Sequence, residues 1–360
     1  MSQSTPARNW VLWAFALLLL GTTPAAYGAV IEEIVVTAQK REQNIQDVGI
    51  AISAVSGEQM RALGFTNAQQ VTAMAPGVST IQPNGEANYA IAIRGVANSD
   101  FTTNVESPVA VYMDEVYISQ MSGAGFMLFD MDRVEILRGP QGTLYGRNAT
   151  GGLAHYVSRK PSDELNGYAQ LTAGEWSQIK FEGAIGGGIT DNLAARLSIS
   201  TNESDGYIKN RFTGKDLNDA NDQAARLQLL FTPSDNGEIL LNLRGSKQDI
   251  DTGFFENVSS LISGQLTPGQ PNPVLNGYVD TDNDVYAGDF DSPGFNELDT
   301  YGASATIKWD FENFTFTSIT DFSSVERDYI EDSDASPINF FNFYLTTDAE
   351  QLSQEFRING

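Results

Sequence analysis

Apolar and polar residues alternate along about eight stretches between Leu165 and Gly360, each near the ~9–11 residues that a membrane-crossing β-strand needs. Leu193, Ala195, Leu197 and Ile199 alternate with Ala194, Arg196, Ser198 and Ser200; Tyr301, Ala303, Ala305, Ile307 and Trp309 alternate with Gly302, Ser304, Thr306 and Lys308. Ala225 to Phe231, Phe314 to Ser318 and, more weakly, Leu352 to Ile358 repeat the pattern. A period of two sends successive side chains to opposite faces of a strand, and a soluble β-sandwich would show it too. Connection length separates the two. Residues 188–192, 232–237 and 310–313 read as tight turns, whereas 202–221, 250–297 and 328–349 are long, polar and rich in Gly, Asp and Asn. Outer-membrane barrels alternate short periplasmic turns with long external loops in this way. Trp176, Tyr207, Phe231, Trp309 and Phe311 stand at strand ends, where aromatic girdles meet the membrane interface.

The N-terminus reads as an export signal. Arg8 precedes an apolar run from Trp10 to Gly21, too short for the ~20 residues of a spanning helix but of signal-peptide size. Ala26-Tyr27-Gly28 offers small residues where a signal peptidase reads, so residues 1–28 are expected to be a leader cleaved after Gly28. No later stretch reaches ~18 continuous apolar residues, so no transmembrane helix is expected. A formal net charge of -25 excludes nucleic acid as a partner, since phosphate binding needs a basic surface. The chain has no cysteine and one histidine, His155. That removes thiolate chemistry and makes a His-based triad or multi-His metal site untenable, so no catalytic residue, metal ligand or cofactor is expected and the chain does not read as an enzyme.

Residues 47–161 read as a small mixed α/β domain. Ile50 to Val55 alternate as a strand; Ser56 caps a short helix to Leu63; Asn67 caps a second, stopped by Pro76-Gly77. Val78 to Ile81 leads into a polar loop at 82–88, and Ala90 to Arg94, Val109 to Met113 and Val116 to Ile118 read as further strands, with a second polar loop at 97–107. The domain ends in DRVEILRGPQGTLYGRNATGGLAHYVSRKP, from Asp132 to Pro161. It is a strand, a glycine-dense run forcing tight turns, and a second strand from His155. A phosphate-binding loop would need Gly-Lys-Ser/Thr opening a helix; here Gly146 is followed by Arg147-Asn148. A compact hairpin inside a barrel wall fits better, with Arg133, Glu135, Arg138 and Arg147 satisfying polar groups of the lumen face. The acidic run Asp280 to Asp284 has oxygens at the spacing of calcium loops but lacks the glycine of the EF-hand turn, and a solvated external loop is the plainer reading.

From Ile31 to its end the chain resembles the TonB-dependent receptors of Gram-negative outer membranes. Glu33-Ile34-Val35-Val36-Thr37-Ala38 is similar to the TonB box, the segment that the periplasmic domain of TonB engages by strand addition. Gln46-Asp47-Val48, Arg94-Gly95, Val111 to Asp114, Arg133 to Pro140 (with Glu135, Arg138 and Gly139) and Gly142 to Gly152 (with Gly146, Arg147, Asn148 and Gly151) resemble successive signatures of the family's plug, and Leu352 to Ile358 a recurrent barrel strand. Three departures stand out: Gly49 where proline is usual, Glu115 where a glycine commonly follows the aspartate, and His155 where asparagine is usual. The resemblance implies a signal peptide (1–28), a TonB box with a flexible lead-in (29–46), a plug domain (47–161) and antiparallel transmembrane β-barrel strands (162–360), about eight of them.

The function implied is energised import across the outer membrane of an extracellular small molecule, most often a ferric chelate in this family. Partners would be TonB, outer-membrane lipid and lipopolysaccharide. The loops around Asn84, Asn98 and Phe101 are the expected ligand-facing parts of the plug. Roughly 200 residues follow Lys160, whereas a plugged barrel of about 22 strands needs ~220 in strands alone, so the chain is expected to be part of a longer receptor and not transport-competent alone. The competing reading is a soluble periplasmic or secreted β-rich binding protein with a plug-like domain.

Overall fold

Burial on both faces of one small sheet organises the first half of the chain. The computed structural model describes residues 35–360 apart from 66, 73, 82–89, 101, 103–104, 121–127, 254, 258, 263–264, 283 and 293. The expected leader, Glu33, Ile34, Asn84 and Phe101 lie outside the described residues. Strands β1 (Val35–Val36) and β2 (Gln43–Asn44) pair antiparallel as a small hairpin. Strand β3 (Ala51–Ser56) runs into helix α1 (Gly57–Ala62), whose start is fixed by a capping box in which Ser56 and Gln59 bond each other's backbone N–H. Helix α2 (Ala68–Thr72) begins at Asn67, whose Oδ1 accepts the Gln70 N–H at 3.2 Å. Strands β4 (Val78–Ile81) and β5 (Ala90–Ile93) form a separate pair. Then come β6 (Val109–Met113), β7 (Val116–Ile118), β8 (Met131–Arg138), the one-turn helix α3 (Gly142–Tyr145) and β9 (Gly152–Ser158).

The five-stranded sheet has the order β3-β8-β9-β6-β7, with β6 and β9 parallel and the other pairs antiparallel. Alternation sorts its side chains into two cores. Val134, Ile136, Ala154 and Tyr156 join Met60, Val71 and Ile93 on one side. Leu137 and Leu153 join Val36, Ala38, Tyr112 and Tyr145 on the other. The N-terminal segment is therefore a layer of the domain: residues 39–46, expected as a flexible lead-in, turn back through β2 and pack Ile45 against the second core, followed by Val48. The glycine-dense run is more than a hairpin, because α3 winds one turn between β8 and β9 before Gly146, at φ 78°, ends it.

The second half is one antiparallel sheet joined largely by hairpins. Its strands are β10 (Asn166–Ala173), β11 (Ile179–Thr190), β12 (Leu193–Ser204), then, after the short pieces β13 (Ile208–Asn210) and β14 (Asp216–Leu217), β15 (Ala220–Ser234) and β16 (Gly237–Thr252). After the short β17 (Ser259–Ile262), β18 (Gln265–Pro268) and β19 (Ala287–Gly288) come β20 (Gly294–Asp310), β21 (Thr315–Asp332) and β22 (Asn342–Asn359). The sheet order β10-β11-β12-β15-β16-β20-β21-β22 is that of an up-and-down wall. Several strands are longer than expected, up to 18 residues, because ladder pairing continues past the ~10 residues that cross a bilayer and into the long connections.

Polarity is inverted across this wall. The face turned toward the five-stranded domain carries Arg196, Ser198, Ser200, Arg226, Gln228, Asn242 and Asp321, all buried. The opposite face exposes Leu171, Ile185, Leu197, Leu243, Phe322, Leu352 and Phe356. A soluble sandwich buries its apolar face; a lipid-facing barrel wall exposes it. The wall is of the second kind. Phe231, Trp309 and Phe311 stand at its short-turn end, with Phe311 stacked on Phe314 at 4.6 Å.

Close approach makes one glycine indispensable. Gly152 has φ 143°, and a Cβ there would lie 2.2 Å from the Leu137 carbonyl oxygen. Gly152→Ala is expected to cost about 2 kcal/mol or more of domain stability, read as a lower denaturant midpoint and faster tryptic cleavage. Gly49→Ala, with nothing within 4 Å of its Cβ, should stay within about 0.5 kcal/mol of wild type.

Candidate functional site

Strand register brings an acid and a histidine together inside the domain. Glu135 on β8 and His155 on β9 are cross-strand partners on the face covered by the N-terminal segment, and both are essentially inaccessible, at 0% and 2%. A buried carboxylate needs donors to stay ionised, and the folded-back segment supplies them. The Thr37 N–H donates to Glu135 Oε1 at 2.8 Å and its hydroxyl at 3.2 Å. Arg133 Nε donates to the same oxygen at 2.7 Å. His155 Nδ1 stands 3.9 Å from Glu135 Oε2 and 3.4 Å from Thr37 Oγ1. Its Nε2 accepts the Glu115 N–H at 3.1 Å. Tyr145 closes the site, its hydroxyl donating to the Thr37 and Ala38 carbonyls at 3.2 and 3.3 Å.

The segment is held from the wall as well. Lys40 Nζ is 3.3 Å from Glu355 Oε1 on β22 and lies 4.7 Å from the centre of the Tyr145 ring. Burial and then the nearby Arg357 charge lower the Lys40 ammonium, against the opposing pull of Glu355. Arg357 pairs with both Glu355 and Glu115. Asp114 and Glu115, at φ 49° and 69°, make the β6–β7 turn of the kind that usually takes glycine. Glu115 holds that conformation with its backbone on His155 and its carboxylate on Arg357. These contacts lie at the short-turn end of the wall, where Asn359 Nδ2 also reaches the Lys40 carbonyl at 3.4 Å.

Several of the expected plug–wall contacts fall inside the plug. Arg133 is spent on Glu135 and Asp132, Arg138 on the Pro76 and Ile52 carbonyls, and Arg147 on Glu106. Glu135 faces Thr37 rather than the lumen. The reason is layering: the N-terminal segment covers the sheet face that sequence reasoning gave to the wall. Arg94 and Gly95, at φ 53° and 78°, form the turn after β5, and Gly139, Pro140, Gly151 and Asn148 shape the path around α3, with Asn148 Nδ2 on the Tyr117 hydroxyl at 2.7 Å. Asp114 does touch the wall, accepting from Asn242 Nδ2 at 3.0 Å. Asn98 accepts the Asp100 N–H at 2.9 Å and donates to the Glu106 carbonyl at 3.2 Å, bracing its own loop.

The strongest plug–wall tie was missed. Arg196 donates two hydrogen bonds of 2.6 Å to Asp130, with Ser198 adding a third, while Arg226 donates to the Phe129 and Asp130 carbonyls at 2.9 Å. Removing one partner of such a buried pair costs about 3–5 kcal/mol. The signal was one acid interrupting an apolar run, Phe126-Met127-Leu128-Phe129 before Asp130. In the acidic loop, Arg211 pairs with Asp280, Asp282 and Asp289, so those carboxylates already share a cation.

Burial alone would raise the Glu135 carboxyl, but the facing His155 ring, the Arg133 guanidinium and the Thr37 N–H outweigh it and hold it at about 2. A carboxyl depressed from 4.5 stabilises the docked segment above that pH and loses its contribution as pH falls toward 2. The protection factor of the Thr37 amide, its exchange rate divided into the intrinsic rate at the same pH, should therefore be high and flat above about pH 4.5 and fall below it. Glu135→Gln should lower protection at pH 7 and abolish its acid dependence; a protection profile that follows the wild-type curve would show that Glu135 is not the anchor.

Residues 44–153 match the TonB-dependent Receptor Plug Domain family. The pesticin receptor of Yersinia pestis is 28% identical over 258 residues, covering 69% of this chain and 37% of that protein. The vitamin B12 transporter BtuB of Vibrio vulnificus is 26% identical over 185 residues, 50% of this chain and 29% of that one. In fold, the ferric yersiniabactin uptake receptor FyuA from Yersinia pestis superposes with a TM-score of 0.70 at 20% identity, covering 86% of this chain and 45% of that chain. The chain thus spans less than half the length of these relatives. Residues 44–153 are therefore a plug domain of the TonB-dependent receptor kind, and the outward-apolar wall that follows has the fold of part of such a receptor's β-barrel.

Proposed function

We propose that the receptor imports a scarce nutrient across the outer membrane, driven by TonB acting on the segment from Glu33 to Ala38. One observation carries this reading. Thr37 is docked by a handful of polar bonds to Glu135, His155 and Tyr145, at the short-turn end of the wall, where periplasmic turns belong. Such an anchor holds a strand in place yet is weak enough to exchange for pairing with a partner's sheet edge. The same orientation sends the long connections outward, toward the ligand, and the apolar exterior supports insertion in outer-membrane lipid with lipopolysaccharide outside. It also speaks against a soluble binding protein, which would not expose that face to water. Cleavage after Gly28 and domain limits at 29–46, 47–161 and 162–360 are part of the proposal.

A ferric-siderophore-type chelate is the first candidate ligand, on the strength of the relatives' names alone. In cells carrying the whole gene, deletion of residues 33–38 should abolish energy-dependent uptake, as should removal of TonB from cells with the intact receptor, which leaves binding of ligand to the cell surface in place. Uptake that survives the deletion would sink the TonB-driven reading.

A further inference from the structure

At the other end of the wall, under the long connections, lies a cavity of about 270 Å³ bounded by the tips of β11, β12, β15 and β16. We propose that this cavity binds an uncharged, polyhydroxylated ligand of the oligosaccharide class. The inference rests on the importer reading and replaces the ferric chelate as its ligand.

Its floor is a row of hydrogen-bonded side chains crossing the lumen face. Gln178 Nε2 donates to Asn202 Oδ1 at 3.0 Å, and Asn202 Nδ2 to Asp222 at 3.2 Å. Gln248 Nε2 donates to the other Asp222 oxygen at 2.8 Å, and Asn296 Nδ2 to Gln248 Oε1 at 2.7 Å. Each amide brings two donor hydrogens and two acceptor lone pairs, so the row keeps groups of both kinds for hydroxyls. Because the side chains already fix one another, little ordering remains to be done on binding.

Trp176 and Tyr207 form the rim. Sequence position marks them as girdle residues, yet both line this cavity, with ring centres 5.6 Å apart and planes tilted by 48°. Trp176 sits at φ 51° and Ser177 at φ 55°, a backbone region that a bulky residue rarely adopts. The Trp176 carbonyl accepts the Asp205 N–H at 2.8 Å, which pins this turn against the neighbouring connection. Positive φ at both central residues is what a two-residue hairpin turn between β10 and β11 requires, and this turn carries the indole to the cavity mouth. A flat half-exposed ring above a floor of amides suits a pyranose, whose C–H face is apolar and whose edge is hydroxylated.

Charge decides against an anionic chelate. Glu175, Asp219 and Asp222 line the cavity, and no lysine or arginine does so among the described residues. An anionic iron complex would meet like charge there. A cation is the lesser fit, because Asp222 already accepts from two amides and Asp219 accepts the Asp251 N–H at 2.6 Å, leaving hydroxyl-accepting lone pairs rather than a bare charge.

The test is equilibrium binding to the receptor expressed from its whole gene and extracted in detergent. The probes are maltohexaose, cellohexaose, xylohexaose and chitohexaose, set against a ferric tricatecholate and a polyamine. Saturable binding of at least one hexasaccharide is expected, weakened at least about tenfold by Trp176→Ala and by Asn202→Ala, in variants whose heat-modifiable migration shows an intact barrel. Removing TonB from the expressing cells should abolish energised uptake and leave this binding unchanged, so loss of energised uptake and loss of ligand binding report separately. Failure of all four sugars to bind, or Trp176-dependent binding of the ferric complex or the polyamine instead, overturns the proposal.

Discussion

A carboxylate with no exposed surface must be surrounded by donors or stay protonated. Glu135 is in that position, and much of the plug follows from it. It sits on the sheet face opposite α1 and α2, so only a further layer of chain can bring it a backbone N–H, and Thr37 does so. Register with β9 then fixes His155 opposite it, and the other ring nitrogen fixes the β6–β7 turn. The N-terminal segment, the glycine-rich hairpin and that turn are thus three parts of one polar site within an otherwise apolar core.

The wall obeys the complementary rule. Lipid forces its outer face to be apolar and every strand to be paired with a neighbour, which frees the inner face to be polar. The plug exploits that face through Asp130 with Arg196, Asp114 with Asn242, and Lys40 and Glu115 with Glu355 and Arg357. At one end of the lumen the polar residues hold the plug's N-terminal segment. At the other, the row from Gln178 to Asn296 faces the long connections. The chemistry of the two ends differs: charged pairs at the first, mainly amides and aromatics at the second.

Much of this was legible in the sequence. Period-two alternation and the short–long rhythm of connections gave the wall, and cap residues and glycines gave α1, α2 and the turns at Gly64, Gly77 and Gly95. What local pattern cannot report is which layer covers which face. Arg133, Glu135 and Arg138 were recognisable as a charged strand, but their partners are 98 and 62 residues away in the cases of Thr37 and Pro76. Glu115 and His155 stood out as departures, and only the fold reveals that they answer one another. Asp130 was hidden for the opposite reason, since one acid in an apolar run says that it will be buried but not against what. Trp176 and Tyr207 were visible as strand-end aromatics; which side of the wall they face depends on the strained turn at Trp176.

The central claim is that the buried Glu135 carboxylate holds the N-terminal segment against the plug. This sequence contains no cysteine, so Val35→Cys, at a half-exposed position, gives a defined attachment point for a nitroxide label on the receptor in its membrane. The account predicts a motionally restricted spectrum at neutral pH that becomes mobile when Glu135→Gln is introduced. A label that is equally mobile, or equally restricted, in both receptors would contradict it.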